Sequence, residues 1–380
     1  MLLLVAKVFG EIFHHFGFSA MIGEVLAGVL LGPAVLGLFS QSAYIETVAM
    51  LGLLILMLVS GMNSRFELLK TIRLKSAIIS LFGVCVSLGL GALAGYLWTG
   101  DIFPAIFIGA VLSNTATEVV VRFTSKSSIS HLVTAAALID DIIAVYILGL
   151  VSTSTIKQAL GLPTDPAAIA ITTVGIIAFF ILTIYLSKLV IIRLDVMKRL
   201  WKHKGRGIPV TFAMVLALLF AVVARYVGMH EIIGAYMAGL FIGRLREKPD
   251  ALLLGRIRLN ALLDDMGTVM QGVLTPFFFA YVGLLFPQLG GINLLMLLAF
   301  TAVAFGGKIA GAGMGALIVG LRGSESLKVG VAMCARGSLE LAMLQFGRVT
   351  GIISLELYSV MVVMVLLTAL LTPVIFRLLR

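Results

Sequence analysis

The chain has 380 residues, of which 61% are hydrophobic and only 12% are charged, and its formal net charge is +10 at pH 7. Its mean hydropathy of +1.14 excludes an ordinary soluble domain, in which about 45–50% of residues are apolar. Apolar runs recur from end to end, and runs of about 20 residues are long enough to cross about 30 Å of hydrocarbon. The composition therefore predicts an all-α polytopic membrane protein.

Thirteen predicted spans follow one another along the chain. They lie near residues 2–16, 20–38, 45–62, 76–98, 102–121, 132–152, 167–192, 208–228, 231–243, 264–286, 291–320, 326–347 and 355–376. We interpret the first as a retained span rather than a signal peptide, because no basic leader precedes it and no small-residue cleavage site follows it. The two cysteines, Cys85 and Cys334, fall within apolar runs and suggest neither a disulfide nor a metal site.

The basic residues are distributed unequally between the two sets of loops. Most of the 28 Lys and Arg residues follow odd-numbered spans, as in segments 63–75 and 198–207, whereas the loops after even-numbered spans hold only Lys157, Arg225 and Arg348. By the positive-inside rule, this pattern predicts a cytoplasmic-membrane protein with its N-terminus outside and its C-terminus in the cytoplasm. The net positive charge then reflects topology, and we expect no nucleic-acid partner.

A glycine motif occurs in two distant spans. The second span contains IGEVLAGVLLG (22–32) and the ninth contains IGAYMAGLFIG (233–243), at an offset of 211 residues. The same offset maps the fourth span onto the eleventh and the fifth onto the twelfth. Because the members of each pair are seven spans apart, an odd number, the two halves have opposite orientation. Inverted repeats mark secondary transporters, whose sites lie near the bilayer midplane. The alternative is that small residues recur because they let membrane helices pack closely.

This repeat divides the chain into three segments. We expect a first inverted repeat with spans 1–6 over residues 1–165, and a linker span with a basic cytoplasmic loop over residues 166–206. The second repeat, with spans 8–13, is expected over residues 207–380.

Polar residues interrupt two spans that the repeat relates. In the fifth span, residues 113–117 read SNTAT, and Ser113, Asn114 and Thr115 offer hydroxyl and amide oxygens where helix propensity is weak. In the twelfth span, residues 336–338 read RGS. Two broken helices that cross near the midplane would direct half-helix dipoles at a bound ion. The alternative is simple hydrogen bonding between helices.

Two adjacent carboxylates, Asp140 and Asp141, lie in the middle of the sixth span, ALIDDIIAVYIL (137–148). Holding an acidic side chain there costs about 3 kcal/mol, so both are functional candidates unless the span boundary is misplaced and they are solvated. Neighbours on a helix point about 100° apart, so one can face an aqueous cavity while the other faces a counter-charge. That counter-charge is expected to be Lys308 in the eleventh span, unless this lysine snorkels and only positions its helix.

Other ionisable residues in the spans have weaker assignments. Glu118 and Arg122 are spaced i, i+4, as are Arg336 and Glu340, and we expect structural pairing in both cases. Glu24 lies within the second-span motif, where it either lines a funnel or caps a packing contact.

Four motifs in chain order resemble those of the monovalent cation:proton antiporters, and the match is closest to the NapA-type sodium/proton exchangers of the cation:proton antiporter-2 family. They are GEVLAGVLLGP (23–33), LIDDIIAV (138–145), the span around Lys308 and CARGSLELA (334–342). The resemblance covers essentially the whole chain. It implies the sodium/proton antiporter fold, with about 13 transmembrane helices, two inverted-topology repeats and crossed discontinuous helices.

The resemblance also implies a spatial division and a site. A core domain would comprise about 76–152 and 291–380, and a dimerisation domain about 1–62 and 208–286. Asp141 resembles the aspartate that binds Na+ or protons in competition, with Asp140 and Thr115 nearby, and Asp140 resembles the aspartate that pairs with Lys308. From the polar residues themselves, and not from the resemblance, the supporting residues are expected to be Ser113, Asn114, Glu118, Arg336, Glu340 and Glu24.

Two positions depart from the family pattern. The family usually has Glu directly after the Arg-Gly pair, where this chain has Ser338, and a small residue where this chain has Glu118. Both differences are expected to alter pH dependence or ion preference.

The predicted function is secondary antiport of Na+ or Li+ against H+ by alternating access, and not enzymatic catalysis. A pair of aspartates resembles the electrogenic exchangers. We expect a homodimer in the lipid bilayer that contributes to pH homeostasis, with no cofactor besides the transported ions and, since the sequence stops at Arg380, no nucleotide-binding C-terminal domain. The alternatives are a K+/H+ antiporter of the same fold, a passive channel, and an intramembrane aspartyl protease, which would need aspartates on two helices.

Overall fold

The computed structural model describes residues 1–63, 66–159, 173–175, 177–179, 181–183, 185, 207–226, 229–245, 264, 266–268, 270–286 and 292–379. Within these residues every regular element is helical. In chain order the helices are α1 (Leu2–His15), α2 (Ala20–Leu31), α3 (Ala43–Asn63), α4 (Phe66–Thr99), α5 (Ile102–Ser113), α6 (Thr117–Thr124), α7 (Ser130–Ala159), α8 (Gly207–Tyr226), α9 (Glu231–Leu245), α10 (Thr275–Leu284), α11 (Leu294–Ile318), α12 (Gly323–Ala332), α13 (Ser338–Val349) and α14 (Leu355–Leu378). A π-helical turn, Met270–Leu274, leads into α10.

In the described part of the chain, seven helical segments are long and apolar enough to cross a membrane. They are Ala43–Asn63, Leu74–Thr99, Ile102–Thr124, Ser130–Val151, Met266–Leu284, Leu294–Ile318 and Leu355–Leu378. Shorter apolar helices cover Ala20–Leu31, Thr173–Thr183, Val210–Tyr226 and Glu231–Gly243. The prediction of an all-α polytopic membrane protein is confirmed. Most of the predicted seventh span, and nearly all of the basic segment 198–207, lie outside the described residues.

Polar side chains fix the starts of three of these helices. Asp101 accepts the Phe103 N–H at 3.0 Å before α5, and Asn293 accepts the Met296 N–H at 3.1 Å before α11. Ser354 does the same before α14. Each cap satisfies a backbone donor that the first turn of a helix leaves free.

Both polar interruptions predicted from the sequence are breaks in helices. Asn114, Thr115 and Ala116 separate α5 from α6, and Asn114 and Ala116 have extended backbone conformations. Residues 333–337 separate α12 from α13. Each break frees backbone groups inside a membrane span, and these groups must find partners within the protein.

The chain folds into two compact units. The first comprises Met1–Ala43, Leu68–Leu148 and Phe279–Arg380, and the second comprises Tyr44–Glu67 and Gly149–Phe278. Most of the predicted core segments lie in the first unit, which also contains residues 1–43 from the predicted dimerisation domain. The roles of core and dimerisation domain stay predictions.

In the first unit, glycines of α2 allow close backbone approach. A Cβ on Gly23 would collide with the carbonyl group of Phe9 in α1, and a Cβ on Gly28 would collide with the carbonyl group of Ala280 in α10. The small residues of the first motif are therefore needed for helix packing, as membrane helices often require.

In the second unit, the corresponding motif makes corresponding contacts. A Cβ on Gly234 would collide with the carbonyl group of Phe220 in α8, and one on Gly239 would meet the carbonyl oxygen of Leu58 in α3. The contact of Gly23 with Phe9 thus recurs at the same offset of 211 residues. The recurrence supports the predicted repeat.

Gly28→Val is expected to destabilise the protein by about 1–3 kcal/mol, because the added side chain has no space against Ala280. Thermal melting of the purified protein in detergent measures the loss. Gly89→Val in α4 is the matched control, since a Cβ there meets nothing within 4 Å. Equal melting temperatures for the two variants would show that the close approach at Gly28 is unimportant.

Candidate functional site

A buried ion pair joins two helices of the first unit. Lys308 Nζ in α11 lies 2.5 Å from Asp140 Oδ2 in α7, and neither side chain is exposed to solvent. Ser80 in α4 donates its hydroxyl proton to Asp140 Oδ1 at 2.6 Å. Buried charges are tolerated when they are paired and their remaining lone pairs are satisfied. The structure thus brings together the two residues that the sequence predicted as partners.

The hydroxyl of Thr115 connects this pair to the second helix break. Thr115 Oγ1 lies 2.7 Å from Asp140 Oδ2 and 2.8 Å from the carbonyl oxygen of Met333. Both neighbours are acceptors, and a hydroxyl has a single proton to donate. Thr115 can therefore donate fully to Asp140 or to Met333, but not to both.

Further hydrogen bonds join the two breaks directly. The Ala116 N–H donates to the carbonyl oxygen of Ala335 at 2.9 Å. In the opposite direction, Arg336 Nη2 donates to the carbonyl oxygen of Leu112 at the end of α5, at 2.5 Å. Each break thus satisfies backbone groups that unwinding frees in the other, as polar groups in a membrane require.

Asp141 has a different environment from its neighbour. Its side chain is 7% exposed, and its Oδ2 accepts the hydroxyl proton of Thr117 at 3.0 Å. Among the described residues, no cationic side chain forms an ion pair with it. The side chains of the two aspartates therefore point in different directions, as their helical spacing requires, and Asp141 is the one without an ion pair among the described residues.

The other residues of the first break do not contact Asp141 by any described hydrogen bond. Ser113 donates back to the carbonyl oxygen of Ala110 in its own helix, at 2.9 Å. Asn114 is completely buried, and neither atom of its amide group has a hydrogen-bond partner within the described structure. Buried polar groups are nearly always hydrogen-bonded, so this amide is an exception among the described residues.

Two glutamates hold the start of α13. Glu340 accepts the Gly337 N–H at 2.8 Å, and Glu118 of α6 accepts the Ser338 N–H at 3.0 Å. Negative groups are stabilised at a helix N-terminus, where the backbone N–H groups are free. Neither of the predicted i, i+4 ion pairs, Glu118 with Arg122 or Arg336 with Glu340, is formed within 4 Å, although all of these side chains are described.

Glu24 lies elsewhere in the first unit. Its side chain is buried in α2, where a Cβ added to Gly10 of α1 would lie 2.9 Å from its Cγ. No hydrogen bond among the described residues joins it to Asp140 or Asp141. The structure therefore does not bring Glu24 into the candidate site.

Comparison with known proteins decides the family. The family model described as "Sodium/hydrogen exchanger, transmembrane" matches residues 1–379. The chain belongs to the sodium/hydrogen exchanger family. It is 27% identical to a protein of Enterococcus hirae named Na(+)/H(+) antiporter, over 99% of this chain and 96% of that protein.

Two further similar proteins provide information on the transported ion and on the fold. The Bacillus cereus protein named Na(+)/H(+)-K(+) antiporter GerN is 24% identical over 98% of this chain and 93% of its own length. The solved structure of the sodium proton antiporter MjNhaP1 from Methanocaldococcus jannaschii matches with a TM-score of 0.69 at 14% identity, over 99% of this chain and 94% of that one. The antiporter fold is thus confirmed, whereas membership of the NapA-type subgroup stays a prediction.

Two residues of this exchanger's site were not assigned from the sequence. Thr117 belongs to the quoted polar cluster, but which hydroxyl faces which aspartate depends on the geometry of the break. Ser80 could have been found from the sequence, because Ser76, Ser80 and Ser87 are spaced by four and seven residues. This spacing places three hydroxyls on one face of an otherwise apolar span. In the structure all three serines are completely buried along α4.

Proposed function

We propose that the protein is a secondary antiporter that exchanges Na+ or Li+ for H+ across the cytoplasmic membrane. The observation that carries this proposal is the environment of Asp141. This buried carboxylate has no ion pair among the described residues, and it lies beside a second carboxylate that Lys308 neutralises. Retaining such a group in a membrane is costly, so a role in binding charge is the default hypothesis. The name of the Enterococcus hirae relative agrees with this substrate.

The proposed mechanism is competition for one carboxylate. Desolvation penalises an empty, ionised Asp141, and either a proton or a cation relieves the penalty by neutralising it. Only the occupied site is then neutral enough to cross the membrane interior, which couples the two fluxes. Oxygen atoms suit an alkali cation as ligands; Thr117 offers one beside Asp141, and Asn114 of the adjoining break has an amide oxygen without a partner in the described structure.

The Asp140–Lys308 pair is proposed to determine how many protons, and therefore how much net charge, move in each transport cycle. Within the pair, the lysine and the carboxylate share one proton, and Lys308, Ser80 and Thr115 lie within hydrogen-bonding distance of the oxygens of Asp140. If binding at Asp141 changes the protonation of this pair, more than one proton moves per cation. The exchange would then be electrogenic.

Several broader features belong to the same proposal. We infer alternating access by a homodimer, with the N-terminus outside and the C-terminus in the cytoplasm. The basic residues after odd-numbered spans support this orientation, and the hydrogen-bonded breaks within one unit support movement of the site as a rigid element.

A K+/H+ antiporter of the same fold is the second candidate. One observation favours it, namely the 24% identity to the Bacillus cereus protein whose name includes K+. Sodium, lithium and potassium all bind oxygen ligands, so the described side chains suit each of them.

The decisive test is dissipation of a pH gradient in proteoliposomes that contain the purified protein and a pH-sensitive dye. Addition of NaCl or LiCl is expected to dissipate the gradient with saturation, whereas choline chloride has no effect, and a membrane potential alters the rate. A response to KCl alone would favour the second candidate. Sodium uptake that does not depend on the pH gradient would indicate a channel and refute antiport.

A further inference from the structure

Glu118 is an exposed carboxylate next to the buried site. It is the second residue of α6, and its predecessor Thr117 donates to Asp141 Oδ2 at 3.0 Å. The segment Ile102–Thr124 is long and apolar enough to span the membrane. A carboxylate within such a span would be strongly disfavoured in contact with lipid, so we expect its exposed surface to face water.

Only one oxygen of Glu118 is used to hold the structure together. Its Oε1 accepts the Ser338 N–H at 3.0 Å, and no other hydrogen bond or ion pair of this carboxylate is found among the described residues. The structural role of the side chain therefore needs an acceptor atom but not a negative charge. A glutamine would supply the same acceptor.

The charges around the two breaks do not balance. The group contains four carboxylates and two cationic side chains, which are Asp140, Asp141, Glu118, Glu340, Lys308 and Arg336. Lys308 pairs with Asp140, whereas Arg336 forms no ion pair with Glu340 within 4 Å. Three carboxylates, those of Asp141, Glu118 and Glu340, therefore have no ion-pair partner among the described residues.

A second observation indicates space for a ligand beside these charges. Glu340 is completely buried, and its Oε2 accepts the Gly337 N–H next to the Ser338 N–H that Glu118 accepts, yet its Oε1 has no hydrogen-bond partner in the described structure. A buried carboxylate oxygen without a partner marks a position for water or a cation. The excess negative charge and the unpartnered oxygen thus indicate the same kind of ligand.

We propose that Glu118 is the residue that captures the cation from the aqueous cavity and delivers it to Asp141. The inference rests on the proposed antiport and adds the route by which the substrate reaches the site. The carboxylate of Glu118 attracts the hydrated cation, and the hydroxyl of Thr117, the residue directly before Glu118, contacts Asp141 Oδ2. The N-terminus of α13 holds Glu118 in place through Ser338.

Glu118→Gln separates the two roles of this side chain, because glutamine still accepts the Ser338 N–H but has no charge. We expect the half-saturating Na+ concentration for dye-detected exchange to rise about five- to tenfold, as loss of one nearby charge in a partly solvated site implies. The maximal rate and the melting temperature should stay unchanged. Added choline chloride should shrink the difference from wild type, because salt screens exposed charges.

Two variants serve as controls. Glu118→Asp keeps the charge and is expected to restore much of the apparent Na+ affinity. Glu356→Gln removes the same charge from the same position, the second residue of a helix, in the exposed first turn of α14. It should leave the half-saturating Na+ concentration unchanged.

Binding of radioactive 22Na+ to the protein in detergent gives a second measurement that does not depend on turnover, and the same fold-change is expected there. Wild-type Na+ affinity in Glu118→Gln by both measurements would overturn the capture role while leaving antiport intact. A loss of rate and melting temperature with unchanged affinity would show that Glu118 is only a helix cap. If the wild-type protein shows no Na+-dependent exchange, the proposed function itself fails.

Discussion

Asp141→Asn is expected to reduce cation-dependent proton flux in proteoliposomes to the level of protein-free vesicles. The asparagine amide neither binds a proton in the physiological range nor supplies the charge that attracts Na+. Both competing ligands therefore lose their shared site. Among the described residues Asp141 is the aspartate of the pair without a cationic partner, so no neighbouring carboxylate on α7 can replace it.

This substitution should leave the fold intact. Thr117 donates its proton to Asp141 Oδ2, and the amide oxygen of asparagine can accept the same proton. Removing a buried charge that has no ion pair also removes a desolvation penalty, so the variant should melt at or above the wild-type temperature. Loss of transport with retained stability is the expected combination.

Asp101→Asn is the matched control. Asp101 is exposed and caps α5 by accepting the Phe103 N–H, and asparagine is as good a helix cap as aspartate. Its exchange rate should equal that of the wild type. Sodium-driven proton flux at the wild-type rate in Asp141→Asn would contradict the central role of Asp141 and require another carrier of the proton.

Features that depend on composition and periodicity could be predicted from the sequence. Apolar length identified the seven described segments that are long enough to cross a membrane, and polar residues within spans identified both breaks. A pair between Lys308 and one of the two aspartates could be expected because a lysine deep in one span and a carboxylate in another have few alternative ways to satisfy their charges. The family resemblance, and not the residues alone, assigned Asp140 to this pair. The second span was predicted to reach residue 38, but α2 ends at Leu31, since Gly32 and Pro33 do not favour continuation of a helix.

Features that depend on the geometry of the breaks could not be predicted. The i, i+4 rule for Arg336 and Glu340 assumes a continuous helix, yet α13 begins only at Ser338, so the two side chains do not share a helical face. Arg336 instead donates to the carbonyl oxygen of Leu112, a partner more than 200 residues away in sequence.

The same limitation applies to the two threonines of the first break. Three non-helical residues separate α5 from α6, and this interruption resets the direction in which the following side chains point. Thr115 consequently contacts Asp140, whereas Thr117 contacts Asp141. The sequence could indicate that hydroxyls would lie near the aspartates, but not which hydroxyl would serve which aspartate.

Asp140→Asn is expected to be the most destabilising single substitution at the site. The asparagine amide can turn its oxygen to Lys308 and its nitrogen to Ser80, whose hydroxyl then accepts instead of donating. The hydrogen bonds survive this change, but the negative charge does not. Lys308, which has no exposed surface, is left without its counter-charge, and breaking a buried ion pair in this way costs about 3–5 kcal/mol.

A double-mutant cycle distinguishes the effect of losing the ion pair from the effect of changing the shape of either side chain. Lys308→Gln alone leaves Asp140 buried without its cation and should lower the melting temperature as well, and it should reduce the charge that moves per cycle in membrane-current recordings. The double variant with Asp140→Asn and Lys308→Gln buries no unpaired charge. It should therefore melt above either single variant, with a coupling free energy within the range of about 0.5–3 kcal/mol for residues in contact.

Transport by these variants tests the proposed link between the pair and the proton count. If the pair only stabilises the fold, the double variant should regain wild-type exchange together with its stability. If the pair also carries a proton, the double variant should be stable but should move less charge per cation, and its rate should respond less to membrane potential. Additive effects of the two substitutions on melting temperature would show that Asp140 and Lys308 are not energetically coupled, despite their 2.5 Å separation.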